Sequence, residues 1–113
     1  MIRLVSLAKV KHWVNAVHDA DDAKLDFMIL AASQAVIDYL GLAESDFDLN
    51  SDGELDIGSD GNPVGVGPIE QAATAIMVAK LYDGMDPKEL EYGRLPVEVT
   101  SMLYVRRRDL GVA

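Results

Sequence analysis

The residues best suited to chemistry in this chain are oxygen ligands crowded into "DLNSDGELDIGSD", Asp48 to Asp60. Asp48, Asn50 and Asp52 stand at positions 1, 3 and 5 of a calcium loop of the EF-hand type. Gly53 follows at position 6 and Asp56 at position 9. Calcium binds hard oxygen ligands, and this spacing lets a tight turn present several to one ion. The pattern fails at position 12, where a bidentate glutamate belongs and Ser59 stands. The flanks fail too: "LAESDF" is short for a helix, and "GSDGNPVGVG" is rich in helix breakers. Asp48, Asn50, Asp52 and Asp56 are therefore weak metal ligands, and no cofactor is expected.

A β-hairpin explains the same stretch without an ion. Phe47, Leu49, Leu55 and Ile57 alternate with polar residues on either side of "SDG". A three-residue turn Ser51-Asp52-Gly53, with Gly53 left-handed, places Leu49 opposite Leu55 and Phe47 opposite Ile57. The apolar residues then share one face. The other face sets Asp48 against Asp56, a like-charge pair that costs stability unless water or a cation meets it.

Other catalytic patterns are weak. His12 and His18 are six residues apart, which does not place them on one helical face, and both read as surface residues. No serine lies in a Gly-x-Ser-x-Gly elbow. "GVGP" is only half of a dinucleotide fingerprint, and there is no cysteine to act as nucleophile or ligand. The expectation is that the chain is not an enzyme.

Charge separates along the chain. The net charge is -9, from 19 acids and 10 Lys or Arg. Residues 44–60 carry seven of those acids and no base, which leaves the remainder almost balanced. Nucleic-acid affinity comes mainly from bases neutralising phosphates, so specific DNA binding is not expected. The one basic run, Arg106-Arg107-Arg108, suits the end of a helix. The longest apolar run, Phe27 to Ile37, is too short to span a bilayer, and the N-terminus lacks the unbroken apolar core of a signal peptide. An intracellular protein with no membrane partner is expected.

Helices must position these residues. Ser6 caps a first helix from Leu7 to about Val14. Asp21 or Asp22 opens a second, with Leu25, Met28, Ile29, Ala32, Val36, Tyr39 and Leu40 at helical spacing, stopped by Gly41. Phe27, Leu30, Ala31 and Ile37 lie off that stripe, so this helix is apolar on more than one face and suits burial between partners. Pro68 opens a third helix that ends by Gly84, with Ile69, Ala72, Ala73, Ile76, Ala79 and Lys80 to Leu81 expected along one side. "DPKE" at 86–89 reads as a capping box for a helical turn, and Pro96 opens a last helix from Val97 to about Arg107. The sequence shows no repeat by this reading. The fold expected is a single, mainly α domain over 1–113. It is a bundle of four to five helices with an acidic β-hairpin or long loop inserted at about 44–66.

The order of segments resembles a known family. "DADDAKLDFMILAASQAVIDYLGL", then a variable loop, then "PIEQAATAIMVAKLYDG" and "LPVEVTSMLYVRR" are similar to the small head–tail connector, or adaptor, proteins of tailed phages and prophages. The likeness covers roughly residues 4–108. The long acidic insertion departs from the family, where this connection is often short. The resemblance implies a helical protomer that joins a ring of twelve beneath the portal. That ring extends the DNA channel and presents a surface to a downstream neck or tail-completion protein, in the virion neck after assembly in the host cytoplasm. DNA would pass through without specific binding. On this reading Asp48, Asp52, Glu54 and Asp56 face the channel, and Arg106, Arg107 and Arg108 dock on the portal. Two other readings are a small helical calcium-binding module using the 48–59 loop, and a regulatory protein that binds a partner through its apolar helix.

Overall fold

The first helix starts where Ser6 Oγ accepts a hydrogen bond from the Lys9 amide at 3.2 Å. Such a cap satisfies one of the amides that a helix start leaves unpaired. This helix, α1, is Leu7–Trp13 in the computed structural model, which describes residues 2–14, 20–86, 88–91 and 94–106. Four further helices follow among the described residues: α2 (Asp22–Leu40), α3 (Pro68–Tyr82), α4 (Lys88–Glu91) and α5 (Val97–Leu103). A 3-10 turn, Tyr104–Arg106, continues α5. The protein is a mainly helical bundle, as the periodicity predicts.

α2 and α3 form the centre and run antiparallel, because Asp21 at the start of α2 accepts a hydrogen bond from the Tyr82 hydroxyl at the end of α3 (2.7 Å). Asp21 occupies the cap position of α2 but makes no side-chain cap, its carboxylate being used on Tyr82 instead. Leu25, Ile29, Ala32, Val36 and Leu40 are buried, as their spacing predicts. Each large apolar side chain buried there contributes about 1.5–3 kcal/mol.

α3 departs from its expected single side. Its buried residues are Gln71, Ala73, Thr74, Ala75, Met77, Val78 and Leu81, whereas Ile69 is partly exposed. The reason is that α3 packs against α1, α2 and α5. A helix enclosed on several sides has no one buried stripe. α5 lies antiparallel to it: Lys80 pairs with Glu98 (2.7 Å) at one end, and Arg106 pairs with Glu70 (3.4 Å) at the other.

Buried polar groups are used to fix the N-terminal segment. Ser33, fully buried on α2, accepts a hydrogen bond from the Leu4 amide at 2.9 Å. Gln71 donates to the Val66 carbonyl (2.9 Å) and accepts from Lys9 Nζ (3.2 Å), which joins α1, α3 and the end of the long connection.

The expected acidic β-hairpin does not form. The connection between α2 and α3 is a long loop with one 3-10 turn, Glu44–Asp46, and no strand among its residues. The turn at its centre is as expected: the Gly53 amide donates to the Asn50 carbonyl, the Asn50 amide donates to the Glu54 carbonyl, and Gly53 has φ +75°. The next rung would pair Asp48 with Asp56. Instead the Asp56 carbonyl accepts from the Val64 amide at 2.8 Å. The like-charged rung is lost and its backbone partner is taken by a second turn. There Gly61, at φ +79°, donates to the Gly58 carbonyl while the Gly58 amide donates to Asn62. "SDG" at 51–53 and "SDG" at 59–61 thus build the same turn twice, a short repeat that the sequence carries openly. Leu55 is buried and Phe47 and Leu49 pack on the core, but Ile57 is 60% exposed, so the expected apolar face ends before it.

Ser33→Ala should cost about 1–3 kcal/mol in urea unfolding, because it strands the Leu4 amide in the core. Amide exchange at Leu4 should also accelerate. Unchanged stability and exchange would show that this hydrogen bond does not anchor the segment.

Candidate functional site

The acidic loop is organised by Asn50. Its Oδ1 accepts from the amides of Asp52 (2.9 Å) and Glu54 (3.2 Å), and its Nδ2 donates to Asp56 Oδ1 (3.1 Å). Asparagine readily makes such local turns. The amide oxygen that a calcium ion would need is therefore turned inward onto the backbone. Asp60 repeats part of this arrangement, since its Oδ1 accepts from the Asn62 amide at 3.0 Å. Among the described residues, no group of three or more His, Asp or Glu is placed to hold a metal ion.

The loop is tied to the helices by Arg3. Its guanidinium makes two hydrogen bonds to the Asp26 carboxylate on α2 (2.8 and 3.0 Å) and a third to Glu54 (2.7 Å). The planar fork matches a carboxylate bidentately, and the remaining nitrogen is free for a second acid. The hydrogen bonds from Arg3 are the main reason the Asp26 carboxyl lies below its ordinary value of 3.8; partial desolvation opposes them and the guanidinium charge adds to them. The same bond to Asp26 raises the Arg3 pKa further above its already high value. Glu54 is thus engaged as a structural partner.

Of the expected channel-facing acids, Asp48, Asp52 and Asp56 are exposed and Glu54 is half-buried against Arg3. Asp46, Asp48 and Asp56 stand around a cleft of about 320 Å³ whose apolar lining is Phe47, Leu55 and Val64. Asp46 accepts from the Ala43 amide at 2.8 Å. Arg106 is exposed at the end of α5 and reaches Glu70. Arg107, Arg108 and His18 lie outside the described residues, and His12 is exposed.

Large apolar side chains are also exposed. Phe27 on α2 is 73% exposed and borders a groove with Met28, Ala31 and Leu81. Val97, Tyr104 and Val105 are exposed on α5 and its 3-10 extension, Val105 at 75%. Phe27 lies off the apolar stripe of α2, but so does Ile37, which is buried, so spacing alone does not mark its exposure. Arg3 carries no signal in the sequence either, because its partners lie 23 and 51 residues away. No family model, no curated protein and no solved structure matches this chain.

Gly53→Ala should destabilise the turn by about 1–2 kcal/mol, the cost of a left-handed L-residue. Nothing lies within 4 Å of the added Cβ, so Gly53→Asn, which tolerates that conformation, should cost less. Urea unfolding and exchange of the Gly53 amide would register both. Equal effects of the two substitutions would contradict a strain origin.

Asp26 gives a pH dependence. Its pKa is lowered on folding, so its contribution is complete above the ordinary value of 3.8 and is lost as pH falls through the lower folded value. Both partners are more than a third exposed, so the contribution at neutral pH is about 1 kcal/mol or less. The stability gap between wild type and Asp26→Asn should be flat near neutrality and close in acid. A gap that persists through the acid range would exclude the ion pair as its cause.

Proposed function

We propose that this chain is a structural assembly protein of tailed phages or prophages. It is one subunit of a ring that lies beneath the portal, extends the DNA channel and joins head to tail. The observation that carries the reading is the exposed apolar surface on separate elements: Phe27 on α2, Val97 at the start of α5, and Tyr104 and Val105 on its 3-10 extension. A small domain that leaves such side chains in water suits burial by neighbours. The reading also draws on the resemblance of the segments to head–tail connectors.

The acid excess suits the same role. Carboxylates repel phosphates, so a wall carrying them lets DNA slide past. In this reading the exposed Asp52 and Asp60, at the tips of the two turns, contribute to that wall. The partners are the portal, neighbouring copies and a downstream neck protein. No chemical step is assigned to the chain.

Electron microscopy of the protein, alone and mixed with its cognate portal, tests the reading. The expected outcome is added ring density on the tail-proximal face of the portal, with or without free rings. A portal that remains bare at excess protein would overturn it. Calorimetry with calcium tests the rival module: micromolar binding lost in Asp52→Ala would favour that module instead.

A further inference from the structure

The cleft between the 3-10 turn and the two loop turns has a specific chemistry. Phe47 and Leu55 form an apolar floor that packs on the core, and Val64 lines the side. Three exposed acidic residues, Asp46, Asp48 and Asp56, also line it. Asp46 is engaged by the Ala43 amide, Asp56 accepts from Asn50, and Asp48 has no side-chain partner among the described residues. The stretch 44–60 itself carries no base. The cleft therefore favours a segment that places an apolar side chain on the floor and cations at the rim.

One segment of the chain has that composition. "YVRRR", Tyr104 to Arg108, sets two apolar residues directly before its only run of bases. Tyr104, Val105 and Arg106 are exposed, and among the described residues Arg106 makes a 3.4 Å contact to Glu70. Leu103, fully buried, anchors the start of this segment to the helices, and neither Tyr104 nor Val105 lines the cleft of its own chain.

We propose that the cleft receives Tyr104 to Arg108 of a second copy of this chain. Tyr104 or Val105 covers Phe47 and Leu55, and the arginines pair with Asp46, Asp48 and Asp56. The donor segment and the receiving cleft are different surfaces, so the contact is head-to-tail. Each copy keeps one free cleft and one free segment, and such contacts close into a ring or continue as a filament. This deepens the ring reading, on which it rests, and assigns the arginines to the neighbouring subunit and not to the portal.

Charge exchange tests it. One variant carries Arg106→Glu, Arg107→Glu and Arg108→Glu; the other carries Asp46→Lys, Asp48→Lys and Asp56→Lys. Circular dichroism and thermal melting establish that both remain folded. Sedimentation velocity at low salt should show self-association of wild type that weakens as salt rises. Each variant alone should associate at least about tenfold more weakly, and an equimolar mixture should recover the wild-type assembly. Assembly that survives both sets of changes places the subunit contact elsewhere and overturns this proposal, while leaving the ring reading intact. Wild type that stays monomeric at low salt also overturns it, and portal microscopy then judges the ring separately. Loss in both variants without recovery on mixing refutes the pairing of these two surfaces.

Discussion

The enclosure of α3 by three other helices is the constraint on which the rest of the structure depends. A helix packed against α1, α2 and α5 cannot present charge on most of its circumference. Its middle is accordingly built from Ala73, Thr74, Ala75, Met77 and Val78, all buried. The small side chains allow close approach, and the hydroxyl of Thr74 is satisfied by the Glu70 carbonyl within the same helix. Polar contacts are pushed to the two ends, where Gln71 binds α1, Tyr82 binds the start of α2, and Glu70 and Lys80 bind the two ends of α5 and its extension. The helix ends therefore set orientation, and its apolar middle supplies most of the stabilisation.

The long connection follows from this arrangement. Having left α2 at Gly41, the chain must return to the start of α3, and it does so without a sheet to satisfy its backbone. Local turns, Asn50, Gln71 and Arg3 meet that need in place of a ladder. Arg3 is the decisive member, since it joins the N-terminal segment, α2 and the loop through one guanidinium. An acidic loop packed near acidic helix residues would otherwise repel them.

Much of the fold was legible in the sequence. Ser6, Pro68 and Pro96 mark helix starts by local chemistry, and Leu25 to Leu40 mark a buried face by period. These signals survive because each depends on neighbours a few residues apart. The inner face of α3 was not legible, because enclosure on several sides erases periodicity. The hairpin misreading has a different cause. Residues 47–57 alternate correctly, and the turn at Gly53 is correct, but alternation cannot reveal that Val64 takes the Asp56 carbonyl. The acids at 48, 52 and 56 stand out in the sequence by their number and spacing. Their grouping around Phe47 and Leu55 depends on the fold, as does the capture of Glu54 by Arg3.

The duplicated turn has a consequence for how this protein can vary. Ser51 and Ser59 are eight residues apart, and each turn closes through its own backbone hydrogen bonds and its own left-handed glycine. Neither requires the other for its geometry. The connection is thus modular, and copies of such a unit can be gained or lost with only a small change in closure entropy. Its length can drift while the helices stay where they are, so the loop is the part of this domain most open to being reshaped for a new neighbour.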